Sequence, residues 1–573
     1  MVCFEAILTH ARSYYMATSY NVFLVNCSIN QKRPSYVSRN SPHYNLPLFP
    51  VFKPLKKVLL EDVHKTMTNT AAKLLDAFVD SFFEFTDQPL LPSQSNYAPV
   101  EELGEAVLVT SIQGRVPDDF PEGPNPLFGG LKSTNSIFGR SNHIWVEGEG
   151  MLHAMYFRRS RQGSWRVLYN NKHVETDTYK LEKQRSKPLF LPAIEGDSPA
   201  ILSAYFLNWL RFGKVNKYLS NTNVFEHSGK FYSGAENHIP QEIDIFTLKT
   251  LKNWDVNGAW DRPFTSHPKR APGTGELVMF GVTATKPFAV LGIISADGKK
   301  LVHKVDLKLN RYNVIMDFPL TIDLNRLLRG GPLLKYNKEE YTRIGVMPRY
   351  GDANSIKWFE VEPNCTFHII NAFEDVRGCR SLDSLIPGPD PSLKGFEWLS
   401  RCYEWRLNMQ TGEVKERDLC GTNVVYMDFP MINGNFIGNR NRYAYTQVVD
   451  PIASSTQDVP KYGGLAKLYF EESCAEFSMR DKEQPEEPIR VECHMFENNT
   501  FCSGAAFVPK GGGLEEDDGW IIAFVHNEDT NTSQVHIVDT KKFSGETVAK
   551  ITMPCRVPYG FHAAFMPISF EAE

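Results

Sequence analysis

From about residue 95 to the C-terminus, the sequence consists of short apolar segments separated by turn residues. The clearest of these segments are 106–110, 277–283, 289–295, 424–429, 443–448, 519–526 and 534–539. Short apolar segments with turn residues between them are typical of an all-β protein, whether a barrel, a sandwich or a propeller. The sequence shows no obvious repeated motif, so the pattern alone leaves these three architectures open.

The first 94 residues differ from the rest in composition. Before residue 60 the only acidic residue is Glu5, while arginine, lysine and serine recur. This composition predicts an organelle transit peptide over residues 1–58, with a plain disordered tail as the alternative. Residues 59–94 form a second region, in which apolar residues between Met67 and Phe83 recur every three or four positions. That spacing predicts an amphipathic helix over about 62–85, ahead of a third unit at 95–573.

Charge argues against nucleic acid as a partner, and hydropathy argues against a membrane-spanning helix. Contact with a membrane surface stays open. The formal net charge is −5 over 573 residues, without the clustered basic residues that nucleic acid binding requires. The longest apolar runs fall short of about 18 residues, so we expect no membrane-spanning helix. Residues 201–212 are apolar, aromatic and compatible with a helix. This helix either dips into a membrane surface or packs on one face of the fold.

Three of the fifteen histidines lie in unusual surroundings. His267, His368 and His562 each stand in an apolar segment rich in aromatic residues, proline or threonine. A histidine inside such a strand needs a partner for its ring nitrogens, and imidazole suits iron, copper, nickel and zinc. These three residues are far apart in sequence. They would meet only if separate strands pointed inward at one place, as strands do at the axis of a propeller.

Several further motifs accompany the histidines. They are Asn96-Tyr-Ala-Pro-Val100, Gly123-Pro-Asn-Pro126, Glu147-Gly-Glu-Gly-Met-Leu-His153, Gly345-Val-Met-Pro-Arg-Tyr350, Asp428-Phe-Pro-Met-Ile-Asn433 and Glu515-Glu-Asp-Asp-Gly519. With these motifs in this order, the chain from about 95 to 573 resembles the plant carotenoid cleavage dioxygenases. Within that family, an apocarotenoid substrate would fit the branch that resembles zaxinone synthase.

The resemblance implies a fold and a metal site. The family fold is a seven-bladed β-propeller with a helical dome, in which four histidines bind Fe²⁺ and outer carboxylates orient three of them. His267, His368 and His562 match three of the four ligands, and Glu236 and Asp428 match two of the carboxylates. Such carboxylates fix the tautomer of a ligating imidazole and raise its basicity.

The resemblance also implies an activity and a place in the cell. The expected reaction is the cleavage by dioxygen of a C=C bond in a carotenoid or apocarotenoid, which gives carbonyl products. A lipid-soluble substrate favours the membrane interpretation of residues 201–212. The amino-terminal composition favours a plastid, with the cytoplasm as the alternative.

The sequence departs from the family pattern at two places. A short stretch that carries the fourth histidine in relatives is absent between Asn310 and Arg311. The nearest histidine, His303, belongs by its pattern to the preceding hairpin. Gly504 stands where relatives often carry a glutamate. These departures predict a chain with weak or no activity. They leave open that it is a splice or gene-model variant of an active enzyme, and also that it is a non-catalytic propeller that binds apocarotenoids. The substrate, the bond cleaved and the oligomeric state do not follow from the sequence.

Overall fold

The structure is a computed structural model that describes most of the chain from residue 73 to residue 566. The undescribed segments inside this range are 88–95, 97, 119, 121–131, 143–147, 161, 284–286, 309–315, 318–319, 323–328, 330–333, 337–340, 365, 367, 375–378, 388–399, 422–424, 455–459, 471–487 and 561. The predicted tail at 1–58 and the predicted gap beside Asn310 therefore lie outside the described residues.

Most of the described strands form seven antiparallel groups, which we call blades I to VII. Blade I contains Val107–Val109, Met151–Arg159 and Trp165–His173, and blade II contains Asn223–His227, Lys230–Gly234, Gln241–Ile243 and Thr250–Asn253. Blade III contains Lys269–Arg270, Leu277–Val282, Ala289–Ile294 and Leu301–Asp306, and blade IV contains Met316–Asp317, Thr342–Val346 and Lys357–Val361.

The second half of the chain provides the other three blades. Blade V contains His368–Glu374, Cys379–Pro387, Ser400–Asn408 and Val414–Asp418, and blade VI contains Met427–Met431, Tyr443–Val449, Tyr462–Tyr469 and Arg490–Met495. Blade VII contains Thr500–Pro509, Gly519–Asn527, Thr532–Asp539, Ala549–Thr552 and Ile112–Gly114. Blades VI and VII are joined by the single residue pair Tyr462 and Cys502.

Hydrophobic clusters connect each blade to the next and close the series into a ring. Representative members are Tyr156 and Val224 for blades I and II, Trp254 and Met279 for II and III, Leu291 and Ile344 for III and IV, Phe359 and Trp405 for IV and V, Cys402 and Met427 for V and VI, Tyr445 and Phe507 for VI and VII, and Phe524 and Tyr169 for VII and I. Burial of one large apolar side chain contributes about 1.5–3 kcal/mol. The faces between blades are therefore a large source of stability.

One short segment near the amino terminus takes part in both the first and the last blade. Val107–Val109 pairs with the strand Trp165–His173 of blade I. Three residues later, Ile112–Gly114 pairs with Ala549–Thr552 of blade VII. Because backbone hydrogen bonds hold the two ends of the ring together through this segment, the first and last blades cannot separate without breaking them.

The all-β prediction and the propeller implied by the resemblance are both confirmed. The apolar pattern alone had left barrel, sandwich and propeller open. The strand segments predicted from that pattern all overlap strands, for example 277–283 with Leu277–Val282 and 519–526 with Gly519–Asn527. The described helices are few: residues 73–82, Asp177–Arg185, Ser198–Phe212 and Pro451–Ser454, with short 3-10 turns at Ala353–Ser355 and Gly434–Phe436. In the described part of the chain, none of the helices has the length and hydropathy needed to cross a membrane.

A smaller structure lies outside the blades and contains both helix and sheet. The strands Phe83–Asp87, Lys132–Ser136, Gly139–Asn142 and Glu195–Gly196 form its sheet, and a separate hairpin pairs Leu320–Ile322 with Leu334–Tyr336. The helix Ser198–Phe212 packs with residues 73–82 around Val79 and Ala204. The helix predicted to reach residue 85 ends at residue 82, because Phe83 is buried and begins a strand that pairs with Lys132–Ser136.

Candidate metal centre

His267 lies just before the first strand of blade III and is fixed by the residues on both sides of it. The backbone N–H of Thr265 donates to the carbonyl oxygen of Phe280, 2.9 Å away, which anchors the segment to the next strand. The Thr265 hydroxyl accepts from the N–H of His267 at 3.2 Å. The imidazole is buried, and its Nδ1 lies 2.9 Å from the Ser266 hydroxyl and 3.4 Å from Oε1 of Glu236.

Ser266 connects Glu236 to this histidine. Its hydroxyl donates to Glu236 Oε1 in a short contact, so its oxygen is left to accept from Nδ1–H of His267. Burial alone would raise the pKa of Glu236. The hydrogen bonds and charge of His267, together with the hydrogen bond from Ser266, outweigh burial and hold that pKa below its usual range. The carboxylate therefore stays ionised behind the histidine.

His368 and Asp428 form a close pair in the site. His368 is the first residue of the first strand of blade V, and Asp428 is the second residue of the first strand of blade VI. Nδ1 of His368 lies 2.6 Å from Oδ1 of Asp428, and both side chains are buried. A carboxylate in this position binds the Nδ1–H tautomer and directs the lone pair of Nε2 away from itself.

His562 approaches from an irregular segment near the end of the chain. This segment is tied to the start of the propeller domain, because Arg556 donates to the carbonyl oxygens of Asn96 and Ala98 at 2.7 and 2.6 Å. The N–H of Tyr559 also donates to the Asn96 carbonyl oxygen, 2.9 Å away. Residues more than 450 positions apart thus hold the carboxyl-terminal histidine in place.

The structure brings the three predicted histidines together. Each offers a ring nitrogen to one cluster, and these nitrogens all lie within 4.8 Å of one another. The shortest separation is 2.9 Å, between Nε2 of His267 and Nε2 of His562. Burial lowers the pKa of His562 well below its usual value, and the neighbouring His267 and His368 lower it further. A neutral imidazole is the form that binds a metal.

The donor set fits a divalent transition metal. The Nε2 atoms of His267 and His562, 2.9 Å apart, are close enough together to be ligands of one ion at the usual metal–nitrogen distance of about 2.1 Å. Carboxylates behind His267 and His368 leave Nε2 of each ring as the ligand atom. Three imidazoles are a ligand set that iron, copper, nickel and zinc all accept. Residues His267, His368 and His562 could therefore hold such an ion.

His303 and Gly504 were named above where the sequence departs from the family pattern, and both lie in strands. His303 lies in the strand Leu301–Asp306, and its Nε2 lies 2.9 Å from the carbonyl oxygen of Gly351, so the ring faces another part of the backbone. Gly504 lies at a register shift in the strand Thr500–Pro509. Within the described part of the chain, the histidine cluster has three members.

Two residues beside the centre were not predicted from the sequence. Ser266 links Glu236 to His267, and its place next to the histidine was an available signal. Phe429 follows Asp428, and its ring centroid lies 5.1 Å from those of both His368 and His562. Its sequence context gives no sign of that contact, because the two rings come from different parts of the chain.

A cavity of about 200 Å³ is lined by residues that follow His267, His368 and Asp428 closely in the sequence. Its lining residues are 269–272, 369–372, 430, 432, 437 and 438. Pockets that enclose a drug-sized ligand usually measure about 300–1,000 Å³, so this cavity is too small to hold a whole carotenoid.

Comparison with known proteins identifies the family. A family model described as retinal pigment epithelial membrane protein matches residues 97–567. The carotenoid 9,10(9',10')-cleavage dioxygenase 1 of Pisum sativum is 30% identical over 541 residues, which cover 87% of this chain and 94% of the pea protein. The chain belongs to the carotenoid oxygenase family.

Other members of the carotenoid oxygenase family extend the match. The chloroplastic 9-cis-epoxycarotenoid dioxygenase NCED1 of Oryza sativa subsp. japonica is 27% identical over 544 residues, covering 87% of this chain and 80% of the rice protein. The crystal structure of lignostilbene dioxygenase from Pseudomonas brassicacearum aligns with a TM-score of 0.68 at 19% identity, over 84% of this chain and all of that one. This structural likeness supports the propeller fold of the carotenoid oxygenase described here.

Proposed function

We propose that this carotenoid oxygenase is an iron(II)-dependent dioxygenase that cleaves one C=C bond of a carotenoid or apocarotenoid. The observation that carries this proposal is the convergence of His267, His368 and His562 within 4.8 Å, at the first strands of separate blades and the carboxyl-terminal segment. The pea and rice relatives, named as carotenoid dioxygenases, support the substrate class.

The overall reaction is balanced by one dioxygen molecule. The C=C bond breaks, each of its carbons gains one oxygen atom, and two carbonyl products form. A bound ferrous ion would supply the activation of dioxygen. The three neutral imidazoles would hold that ion, while Asp428 and Glu236 keep the Nδ1 protons of His368 and His267 in place. The protein's own contribution is then to place one double bond of the polyene beside the centre and to exclude water.

We propose further that the chain as it stands is weakly active or inactive. The resemblance implies a family site of four histidines, and here the sequence at Lys308-Leu-Asn-Arg311 lacks the stretch that would carry the fourth. Other oxygenases hold iron with three facial protein ligands, so three histidines here could still bind a metal ion.

The same loss favours a second candidate function, a propeller that binds an apocarotenoid without turning it over. One experiment separates the two functions. The protein is loaded with Fe²⁺ without oxygen and then incubated in air with a panel of carotenoids and apocarotenoids. Oxygen uptake and the masses of the aldehyde products are measured, together with binding of each polyene by quenching of tryptophan fluorescence.

Two substitutions serve as controls in that experiment. His368→Ala should abolish the product of any cleavage, because it removes a ligand. His303→Ala should leave it unchanged, because that ring bonds to the backbone of Gly351, in the connection after the strand Thr342–Val346. Polyene binding without aldehyde in every sample would overturn cleavage by this chain and favour the binding protein, whereas an aldehyde that His368→Ala abolishes would support the dioxygenase.

We also propose that the helix Ser198–Phe212 touches a membrane surface. One face of this helix is buried in the cluster around Ala204, and the other exposes Phe206 and Trp209, at 60% and 49%. Near it, residues 73–82 expose Leu74 at 68%. The sequence left core packing and membrane contact open, and the helix has a face for each. A patch of exposed aromatic and aliphatic side chains of this kind suits the interface of a bilayer.

The proposed location is a plastid. The rice relative is named as chloroplastic, and the amino-terminal composition of this chain is that of a transit peptide. The cytoplasm remains the alternative prediction, and the zaxinone synthase branch remains a prediction from the resemblance. A fluorescent fusion at the carboxyl terminus, expressed in leaf cells with and without residues 1–58, tests the location directly.

A further inference from the structure

Phe429 has a backbone conformation that aromatic residues rarely adopt. Its φ is 54°, in the left-handed region, and its side chain is 5% exposed. Several other non-glycine residues with positive φ are asparagines or serines, which tolerate this region better, such as Asn257 and Ser228. For a buried aromatic residue the conformation costs energy, so its surroundings must stabilise it.

Two features of the strand Met427–Met431 hold this conformation. The backbone N–H of Phe429 donates to Oδ1 of Asp428 at 2.7 Å, the same oxygen that accepts from His368 at 2.6 Å. The pairing register with the neighbouring strand shifts between Asp428 and Met431. A bulge of this kind re-aims the side chains next to it.

The result is that two consecutive side chains reach the same histidine. In a regular strand, neighbouring side chains point to opposite faces of the sheet. Here the carboxylate of Asp428 bonds to His368, and the ring of Phe429 packs against His368 with a centroid distance of 5.1 Å. The left-handed residue and the register shift together allow this arrangement.

The ring of Phe429 also packs against His562. Their centroids are 5.1 Å apart and their planes cross at 82°, an edge-to-face contact. Phe429 is itself supported on another side by Tyr462, with centroids 5.3 Å apart. One aromatic side chain thus contacts two of the three imidazoles of the site.

His562 is the histidine for which such a contact matters most. In the part of the chain that the structure describes, His267 and His368 each have a carboxylate near Nδ1, whereas His562 has none within hydrogen-bonding distance. We propose that Phe429 is a positioning residue, whose ring sets the spacing and orientation of His562 relative to His368. This inference rests on the proposed metal centre. At His562, packing against Phe429 would have the orienting role that a carboxylate has at the other two histidines.

The competing explanation is that Phe429 only fills the core between blades VI and VII. Phe507 provides a matched control, because it is buried in the same hydrophobic cluster and stacks on Tyr445. Phe429→Leu and Phe507→Leu therefore remove the same aromatic ring from the same cluster. Only the first removes a ring that contacts the histidines.

The experiment uses Co²⁺ as the probe, because its visible absorption reports ligand geometry. The full chain and both variants are titrated with Co²⁺ in competition with a chromophoric chelator, and thermal unfolding of the metal-free proteins is measured in parallel. We expect Phe429→Leu to weaken Co²⁺ binding about tenfold, as does the loss of an orienting outer group, and to shift the absorption band. Phe507→Leu should lower the unfolding temperature and leave affinity and spectrum unchanged.

A second variant keeps the inference testable if Phe429→Leu does not fold. Phe429→Gly removes the ring but adopts a φ of 54° without strain, so its backbone is relieved while His562 loses its support. It should bind Co²⁺ about as weakly as the leucine variant. Unchanged affinity and spectrum in either variant would overturn the positioning role. Absence of Co²⁺ binding by the unsubstituted chain would instead overturn the metal centre itself, and the positioning role with it.

Discussion

Asp428→Asn is the substitution that tests the electrostatics of the site most cleanly. Oδ1 of Asp428 accepts from both His368 Nδ1 and the N–H of Phe429. The amide oxygen of asparagine can accept from the same two donors, so the orientation of the side chain should persist. The substitution then removes the negative charge and leaves the geometry in place.

The size of the effect can be bounded from the 2.6 Å contact. A metal ion bound to Nε2 of His368 would lie on the other side of the imidazole ring from this contact. The sum of the contact, the ring and one metal–nitrogen bond would then separate the carboxylate from the ion by about 7 Å. At an effective dielectric constant of about 20, a unit charge and a divalent ion at this distance attract by about 5 kcal/mol, which is an upper bound. The amide dipole restores part of this, and loss of such an outer partner usually weakens metal binding about 10–100-fold.

The assay is a Co²⁺ titration against a competing chelator, with Glu236→Gln as the comparison. Asp428→Asn should weaken binding about 10–100-fold, equivalent to about 1.4–2.7 kcal/mol. Glu236→Gln should cost less, because its contact with His267 is longer, at 3.4 Å, and is shared with Ser266. Equal affinity of Asp428→Asn and the unsubstituted chain would refute the reasoning, as would a larger loss in Glu236→Gln.

Three further predictions concern acid stability, membrane contact and the missing histidine. Burial lowers the pKa of His153 from 6.5 to about 3. Only the unfolded state therefore binds this proton as the pH falls below 6.5, and stability is lost toward low pH. His153→Gln should remove about 2 kcal/mol from the difference in unfolding free energy between pH 7 and pH 5, measured by urea unfolding, and an unchanged pH slope would contradict this. Trp209→Glu should reduce sedimentation of the protein with anionic lipid vesicles. The control is Leu514→Glu, which lies in a hairpin of blade VII, is 98% exposed and should not reduce it. Equal binding by both variants would count against the helix as the membrane contact. Insertion of a histidine-bearing strand between residues 310 and 311 should raise the iron content, measured by mass spectrometry of the metal, and a folded but iron-free product would disprove the deletion as the cause.

The fold was largely predictable from local pattern, and the reason lies in the strands themselves. Segments such as 289–295 and 443–448 carry their own signal, since apolar composition and flanking turns specify a strand wherever it lies. The helix predicted through residue 85 was too long, because pairing of Phe83–Asp87 with Lys132–Ser136 overrides the helical spacing. That pairing is a contact between distant segments, which periodicity does not contain.

The site was predictable in its residue types and not in its geometry. Histidines in apolar strands stand out in the sequence, and the structure brings the three of them together. The pairing of His368 with Asp428, sixty positions away, depends on how blade V packs on blade VI. The contact of Phe429 with His562 depends in addition on a left-handed residue and a register shift that a single sequence does not reveal.

Metal binding and closure of the ring should be thermodynamically linked in this protein. His267 and His562 are 295 positions apart, and their Nε2 atoms meet at 2.9 Å only when the carboxyl-terminal segment is tied to the start of the domain through Arg556 and Asn96. The unfolded chain has no such site, so an ion present at 100 times its dissociation constant should stabilise the closed ring by about 2.7 kcal/mol. Arg556→Met removes the tie without touching a histidine. If closure assembles the site, this variant should lose both stability and metal affinity, and metal should restore less of its unfolding temperature than it does for the unsubstituted chain.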